Sequence, residues 1–247
     1  MYTRIYLYVL LIIIVIIIVS LIIVYDIKNI ENYQVNNQED NIPHIIHQTA
    51  PADKSKWKQD WYICQESWNK NFPDWQYKLW TDEDNDNFVK LEFPEFYKTY
   101  NNYDKLIYKI DMVRYCILYK YGGIYADMDY YCNKNFYNKI NKNKISISES
   151  PYIKNEYLQN ALMISPKNNK FWLDVIEEGV KRWNNGNNNG DVLDLTGPRL
   201  ISSVYEKNKK EINVLPKKYY NPLKGSPDFN NENVYTKHYC TFSWSNH

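Results

Sequence analysis

Apolar and polar residues fall into blocks along this chain, and the period of each block predicts an element. Ile5 to Tyr25 is almost wholly apolar and uncharged, matching the roughly 20 residues a helix needs to cross a hydrocarbon core. A polar, aperiodic stretch rich in Asn, Gln and Glu follows to Asn41 and reads as a short stem (residues 26–41). Ile42 to His47 reads as a first buried strand ending in His47-Gln48-Thr49, and Gln76 to Trp80 alternates like a second. Cys64–Lys70 between them reads as helix, and Thr81-Asp82-Glu83-Asp84 resembles an N-cap leading into Phe88–Leu91. Leu106, Ile110, Val113, Ile117 and Tyr121 form an apolar stripe at helical spacing, ended by Gly122-Gly123 at a left-handed C-cap. A short strand bearing Asp127 and Asp129 is expected at once. Ile145–Ser148, Ala161–Ser165 and Ile212–Leu215 read as further strands. Phe171–Trp183 reads as a helix, and Thr196-Gly197-Pro198 introduces another through Tyr205. This alternation predicts one α/β sandwich around a mostly parallel sheet over residues 42–247, with its ligand crevice at the carboxyl ends of the strands.

The apolar block changes the picture most. A cleaved signal peptide carries an apolar stretch of only ~7–15 residues and a small-residue cleavage site; here Tyr25-Asp26-Ile27-Lys28 follows instead. Residues 1–25 therefore read as a single-pass transmembrane signal anchor. Basic residues divide its two sides only weakly, and the expected topology is type II, with a cytoplasmic N-terminus and the remaining chain in a lumen. The 30 Lys+Arg against 29 Asp+Glu give no electrostatic case for nucleic acid. Cys64, Cys116, Cys132 and Cys240 fit no zinc spacing; they allow two disulfides in three connectivities, or remain buried thiols. No asparagine opens an N-x-Ser/Thr sequon. With only 7 glycines in the chain, the adjacent Gly122 and Gly123 point to a backbone that needs them.

Asp127 and Asp129 carry the candidate chemistry. One residue apart on a strand, both would face one side, where two carboxylates can hold a hard divalent cation and leave coordination sites for phosphate oxygens. An EF-hand is excluded, since its sixth and twelfth positions would be Cys132 and Asn138. A two-carboxylate hydrolase is disfavoured, because its acids stand ~5 Å or more apart across a scissile bond. Asp111 and Arg114, at i and i+3, share a helix face. They form either a surface ion pair or a pair bordering the crevice, where Arg114 could reach phosphate and Asp111 a sugar hydroxyl. His47 and His238 are either structural or site histidines.

Four ordered motifs carry a family resemblance: Ile42-Pro43-His44-Ile45-Ile46-His47-Gln48-Thr49, Phe72-Pro73-Asp74-Trp75-Gln76-Tyr77-Lys78-Leu79-Trp80, Asp111-Met112-Val113-Arg114-Tyr115, and Tyr121-Gly122-Gly123-Ile124-Tyr125-Ala126-Asp127-Met128-Asp129. In this order they resemble the DXD-motif glycosyltransferases of family 32, strongly over Ile42 to Tyr131 and loosely beyond. The resemblance implies a GT-A-like fold and a retaining hexosyl transfer, with mannose favoured. A GDP- or UDP-sugar would be the donor, a glycan or glycolipid the acceptor, and Mn²⁺ or Mg²⁺ the cofactor. By position, it implies Asp127 and Asp129 at the metal and donor, His238 as a further metal ligand, and Asn160 near the reacting carbon. It implies donor contacts from Asp111, Arg114, Tyr125, His47 and Gln48, and from Ser243-Trp244 in a closing C-terminal segment. Thr49-Ala50 departs from the family's Thr-Trp. A catalytically silent sugar-binding subunit and a nucleotide-sugar hydrolase are the competing expectations.

Overall fold

A computed structural model of the chain describes residues 15–25, 41–152, 157–185 and 191–241. Residues 15–25 are helical, and apolar side chains from Val15 to Val24 lie about half exposed or more. The rest of the expected anchor falls outside the described residues. Among the described residues, no helix is long and apolar enough to cross a membrane.

The described residues from Asn41 onward are built on a six-stranded sheet. In chain order, β1 (Ile45–Thr49), β2 (Gln76–Trp80), β3 (Gly123–Ala126), β5 (Ile145–Glu149), β6 (Leu158–Ser165) and β7 (Ile212–Leu215) assemble as β2-β1-β3-β6-β5-β7. β1 pairs in parallel with β2 and β3, and β5 with β7, while β6 runs antiparallel to both its neighbours. The sheet is thus mostly parallel, as expected, with one reversed strand that alternation alone cannot reveal. A two-stranded antiparallel ribbon joins β4 (Tyr130–Cys132) to β8 (Thr236–His238), pairing Tyr130 with His238. No feature of the sequence had suggested that ribbon.

Helices cover the sheet. α1 (Gln59–Asn71) packs Trp68 and Phe72 against one face, and Trp68 Nε1 donates to the Tyr130 carbonyl at 2.7 Å. α2 (Asp82–Glu92) opens with the expected cap, a reciprocal box in which Thr81 and Asp84 satisfy each other's backbone N–H groups. α3 (Pro94–Asn101) follows, unforeseen, with its proline in the first turn where no N–H is needed. α4 (Leu106–Tyr121) is buried almost all round from Tyr108 to Leu118. Leu106, counted in the expected stripe, is 52% exposed. A helix buried on every side has no single apolar face to read, because α4 lies between the sheet and α5 (Lys170–Asn184).

The double glycine after α4 departs in detail from the expected cap. Gly122 has φ 64° and ψ −152°, a region only glycine populates comfortably, rather than the left-handed helical one. At Gly123, φ is 86° and a Cβ would sit 2.4 Å from the Ile45 carbonyl oxygen. Bare backbone is what lets β3 lie directly against β1. All four cysteines are free thiols, three of them buried, as in the second of the two expectations.

Candidate functional site

The acidic pair does not lie on a strand. β3 ends at Ala126, and Asp127-Met128-Asp129 forms a turn into β4, closed by Tyr130 N–H donating to the Asp127 carbonyl at 2.9 Å. The two carboxylates come together through this turn, not through strand alternation. Gln48, at the end of β1, fastens it: Nε2 donates to the Asp127 carbonyl at 3.0 Å while Oε1 accepts from Tyr77 at 2.7 Å.

Each carboxylate has its own surroundings. Asp127 Oδ1 lies 3.2 Å from Arg114 Nη1 and accepts from the Tyr125 hydroxyl at 3.2 Å. About a quarter of its side chain (26%) reaches solvent, yet burial still pushes its pKa up to about 6 against the pull of Arg114. Asp129 Oδ1 lies 2.9 Å from His238 Nε2, and its Oδ2 accepts from both the backbone N–H and the hydroxyl of Thr241, at 2.7 and 2.8 Å. Burial opposes its charge, but His238 and Thr241 outweigh it and hold the carboxyl well below the usual range. The same ion pair raises His238 well above its ordinary value despite burial. Its ring stacks on Tyr130 at 5.0 Å. The strand pairing of β4 with β8 therefore delivers His238 to Asp129.

Arg114 links this turn to α4. Nη2 pairs with Asp111 at 3.0 Å, Nη1 also donates to the Asn160 carbonyl at 2.9 Å, and Nε donates to the Ile110 carbonyl at 3.2 Å. The guanidinium stacks over Tyr125 at 5.0 Å. Burial works against its charge, and Asp127, Tyr125 and Asp111 more than restore it. With side chains only 4% and 6% exposed, Arg114 and Asp111 are not the surface pair that one sequence expectation offered. Asp111 also accepts from Asn160 Nδ2 and from Thr196 Oγ1, each at 3.0 Å.

Asp127, Asp129, His238, Arg114, Asp111, Tyr125 and Asn160 thus form one connected site. Asn160 lies inside β6, which starts three residues earlier than the expected Ala161, and its Nδ2 donates to Asp111 and Tyr115. His47 is set apart. Its ring is fully buried, Nδ1 accepts from Trp80 Nε1 at 3.1 Å, and Nε2 is 3.1 Å from the Gly122 carbonyl. Burial lowers its pKa to about 3. A neutral ring with both nitrogens engaged holds β1 to the glycine bend. Gln48 is likewise fully buried and supports the turn. Ser243 and Trp244 lie outside the described residues. Thr241 and Thr196 were missed: the first has no motif around it, and the second sits in a Thr-Gly-Pro run read only as a helix start.

Ligand atoms of Asp127, Asp129 and His238 all lie within 4.8 Å of one another. The two carboxylates suit a divalent cation such as Mn²⁺ or Mg²⁺ through oxygen, and His238 can join Mn²⁺ on giving up the proton that its pairing with Asp129 favours. The donor set fits the group that the sequence implied. A separate cleft of about 440 Å³, lined by Lys134, Lys218, Tyr219, Asn233 and Tyr235 among others, lies beyond the opposite ends of β4 and β8. No carboxylate lines it, so the acid-rich chemistry belongs to the turn.

Residues 58–149 match the family described as "Glycosyltransferase sugar-binding region containing DXD motif". The chain is 44% identical over 115 residues to inositol phosphoceramide mannosyltransferase 3 of Schizosaccharomyces pombe, covering 47% of this chain and 31% of that one. It is 33% identical over 176 residues to a mannosyl phosphorylinositol ceramide synthase of Saccharomyces cerevisiae, covering 70% and 45%. The chain therefore spans less than half the length of these two relatives. An uncharacterized glycosyltransferase of Acanthamoeba polyphaga mimivirus is 27% identical over 226 residues, covering 83% of this chain and 85% of that one. Among solved structures, the PaToxG glycosyltransferase superposes with a TM-score of 0.55 at 18% identity, over 73% of this chain and 76% of that one. The ligand-free glycosyltransferase domain of the YGT toxin gives 0.54 at 9% identity, over 72% and 80%. Likeness at such identities establishes a common fold. Over residues 58–149 the chain thus resembles the glycosyltransferases whose sugar-binding region contains a DXD motif.

Proposed function

We propose that this chain is a metal-dependent, retaining glycosyltransferase that moves a hexose, mannose by preference, from a nucleotide sugar to a glycan or glycolipid acceptor. The observation that carries the reading is the convergence of Asp127, Asp129 and His238 within 4.8 Å, with the Arg114 guanidinium 3.2 Å from Asp127. Those three side chains would hold a divalent cation, which when bound offsets the charge growing on a departing diphosphate. Arg114 supplies a fixed, buried positive charge beside the same carboxylate, already paid for in folding and needing no rearrangement during reaction. Asp111 presents a carboxylate for sugar hydroxyls. Two yeast relatives named for transferring mannose to, or synthesising, an inositol phosphoceramide support mannose and a glycolipid acceptor.

A type II membrane anchor in residues 1–25 is part of the reading. Its support is the uncharged apolar run from Ile5 to Tyr25 and the exposed apolar surface of residues 15–24, which water disfavours and lipid does not.

The test is a thermal-shift screen of GDP- and UDP-sugars with Mn²⁺, followed by product analysis with and without a glycolipid acceptor. A donor at 100 times its Kd should stabilise the fold by about 2.7 kcal/mol, and that gain should vanish with a chelator. Stabilisation by no nucleotide sugar, or sugar release indifferent to every acceptor, counts against transfer.

A further inference from the structure

Thr196 stands at the junction between a short helix, α6 (Val192–Leu195), and α7 (Pro198–Asn208), beyond the matched family segment. It is 1% exposed, and its hydroxyl donates to Asp111 Oδ2 at 3.0 Å. Its backbone carbonyl accepts from the Tyr115 hydroxyl at 2.8 Å. That hydroxyl accepts in turn from Asn160 Nδ2 at 3.0 Å, and the same amide donates to Asp111 Oδ1 at 3.0 Å. The four residues close a ring of hydrogen bonds whose members are all buried. Tyr115 is locked by stacking on Trp172 at 5.9 Å and 10°.

We infer that Thr196 is a positioning residue that aims the Asp111 carboxylate at the donor's sugar. The inference rests on the glycosyltransferase reading of the site. Ionised carboxylates offer about four acceptor positions. Arg114 and Asn160 take two on Oδ1, and Thr196 takes one on Oδ2. The uncommitted position is therefore on Oδ2, and Thr196 sets the rotation of the carboxylate that decides where it points. Arg114 and Asn160 pin only the other oxygen. Gly197 lies against the same oxygen: a Cβ there would press on the α6 backbone, 3.0 Å from Leu193 Cα and 3.1 Å from the Val192 carbonyl oxygen, and would reach Asp111 Oδ2 at contact distance, 3.4 Å. The Thr-Gly-Pro run thus supplies a donor, clearance and a helix start in three consecutive residues.

A nucleoside diphosphate lacks the sugar, and that separates positioning from simple structural support. Calorimetry on the full chain in detergent, with Mn²⁺, would compare GDP-mannose with GDP, and UDP-glucose with UDP. For the pair the wild type binds, Thr196→Val should weaken the nucleotide sugar by on the order of tenfold, the worth of one hydrogen bond to a charged group, and leave the diphosphate unchanged. Thr196→Ser should restore the wild-type difference. Tyr115→Phe, which frees the Thr196 carbonyl without touching its hydroxyl, should shift the nucleotide sugar in the same direction by less. Equal weakening of sugar and diphosphate, or no change in either, overturns the role of Thr196. A wild type that binds none of the four ligands overturns the functional reading itself, and a wild type that binds each sugar nucleotide no better than its diphosphate overturns the sugar contact of Asp111.

Discussion

The Arg114 guanidinium lies 3.2 Å from the Asp127 carboxylate with only 4% of its side chain exposed. Such a buried charge is offset by Asp111 and Asp127, which with two backbone carbonyls take four of its N–H donors. Arg114→Met would strip the compensation from the equally buried Asp111. A loss of about 3–5 kcal/mol is expected, read as a fall in the urea midpoint at unchanged slope. Arg114→Lys should recover little, since a point charge cannot reproduce the fork. A loss below about 1 kcal/mol, the range of exposed pairs, would contradict the buried geometry.

Asp127 is more open than Arg114, and removing it should separate activity from folding. Asp127→Ala is expected to abolish donor turnover while the fold survives, with a smaller loss of stability than Arg114→Met because Asp111 still pairs with Arg114. Donor turnover by the variant near the wild-type rate would remove Asp127 from the chemistry.

Two glycines with the same backbone angle make a controlled pair. Gly123 and Gly225 both have φ 86°, but a Cβ on Gly123 meets Ile45 backbone at 2.4 Å whereas one on Gly225 meets nothing within 4 Å. Gly225→Ala should cost only the left-handed strain, about 1–2 kcal/mol. Gly123→Ala adds overpacking of about 1–3 kcal/mol or more and should destabilise well beyond it. Equal unfolding midpoints would show that β3 does not rest on β1 as described.

His47 gives a pH dependence with a definite sign. Burial lowers its pKa from 6.5 to about 3, so the unfolded chain takes up a proton on acidification before the folded one does. Its contribution is complete above pH 6.5 and is lost as the pH falls toward 3, at up to about 1.4 kcal/mol per unit. The measurement is urea unfolding of wild type and His47→Gln between pH 7 and pH 4. The wild type should lose stability more steeply, and parallel curves would contradict a neutral buried ring.

The sequence disclosed the elements that depend on neighbours along the chain. The Thr81 cap, the glycine pair, the boundaries of β2 and β7, and the i, i+3 spacing of Asp111 and Arg114 are all local signals. What it hid depends on partners distant in sequence. The reversed direction of β6 has no local signature, because a strand buried on both faces reads the same in either direction. The β4–β8 ribbon joins segments too short to announce themselves, and it alone carries His238 to Asp129. Tyr115 and Thr196 looked like core and punctuation, since their polar atoms find each other only when α4 and the α6–α7 junction pack together. Nor could the sequence show that the Gly122 carbonyl and Trp80 engage both nitrogens of His47.

The central claim is that Asp127, Asp129 and His238 grip one divalent cation. Electron paramagnetic resonance of free Mn²⁺ titrated into the protein with a nucleotide sugar tests it most directly. Wild type should take up one Mn²⁺ per chain, and the Asp127→Asn/Asp129→Asn double variant none at the same concentration. Equal uptake by the two proteins would contradict the account.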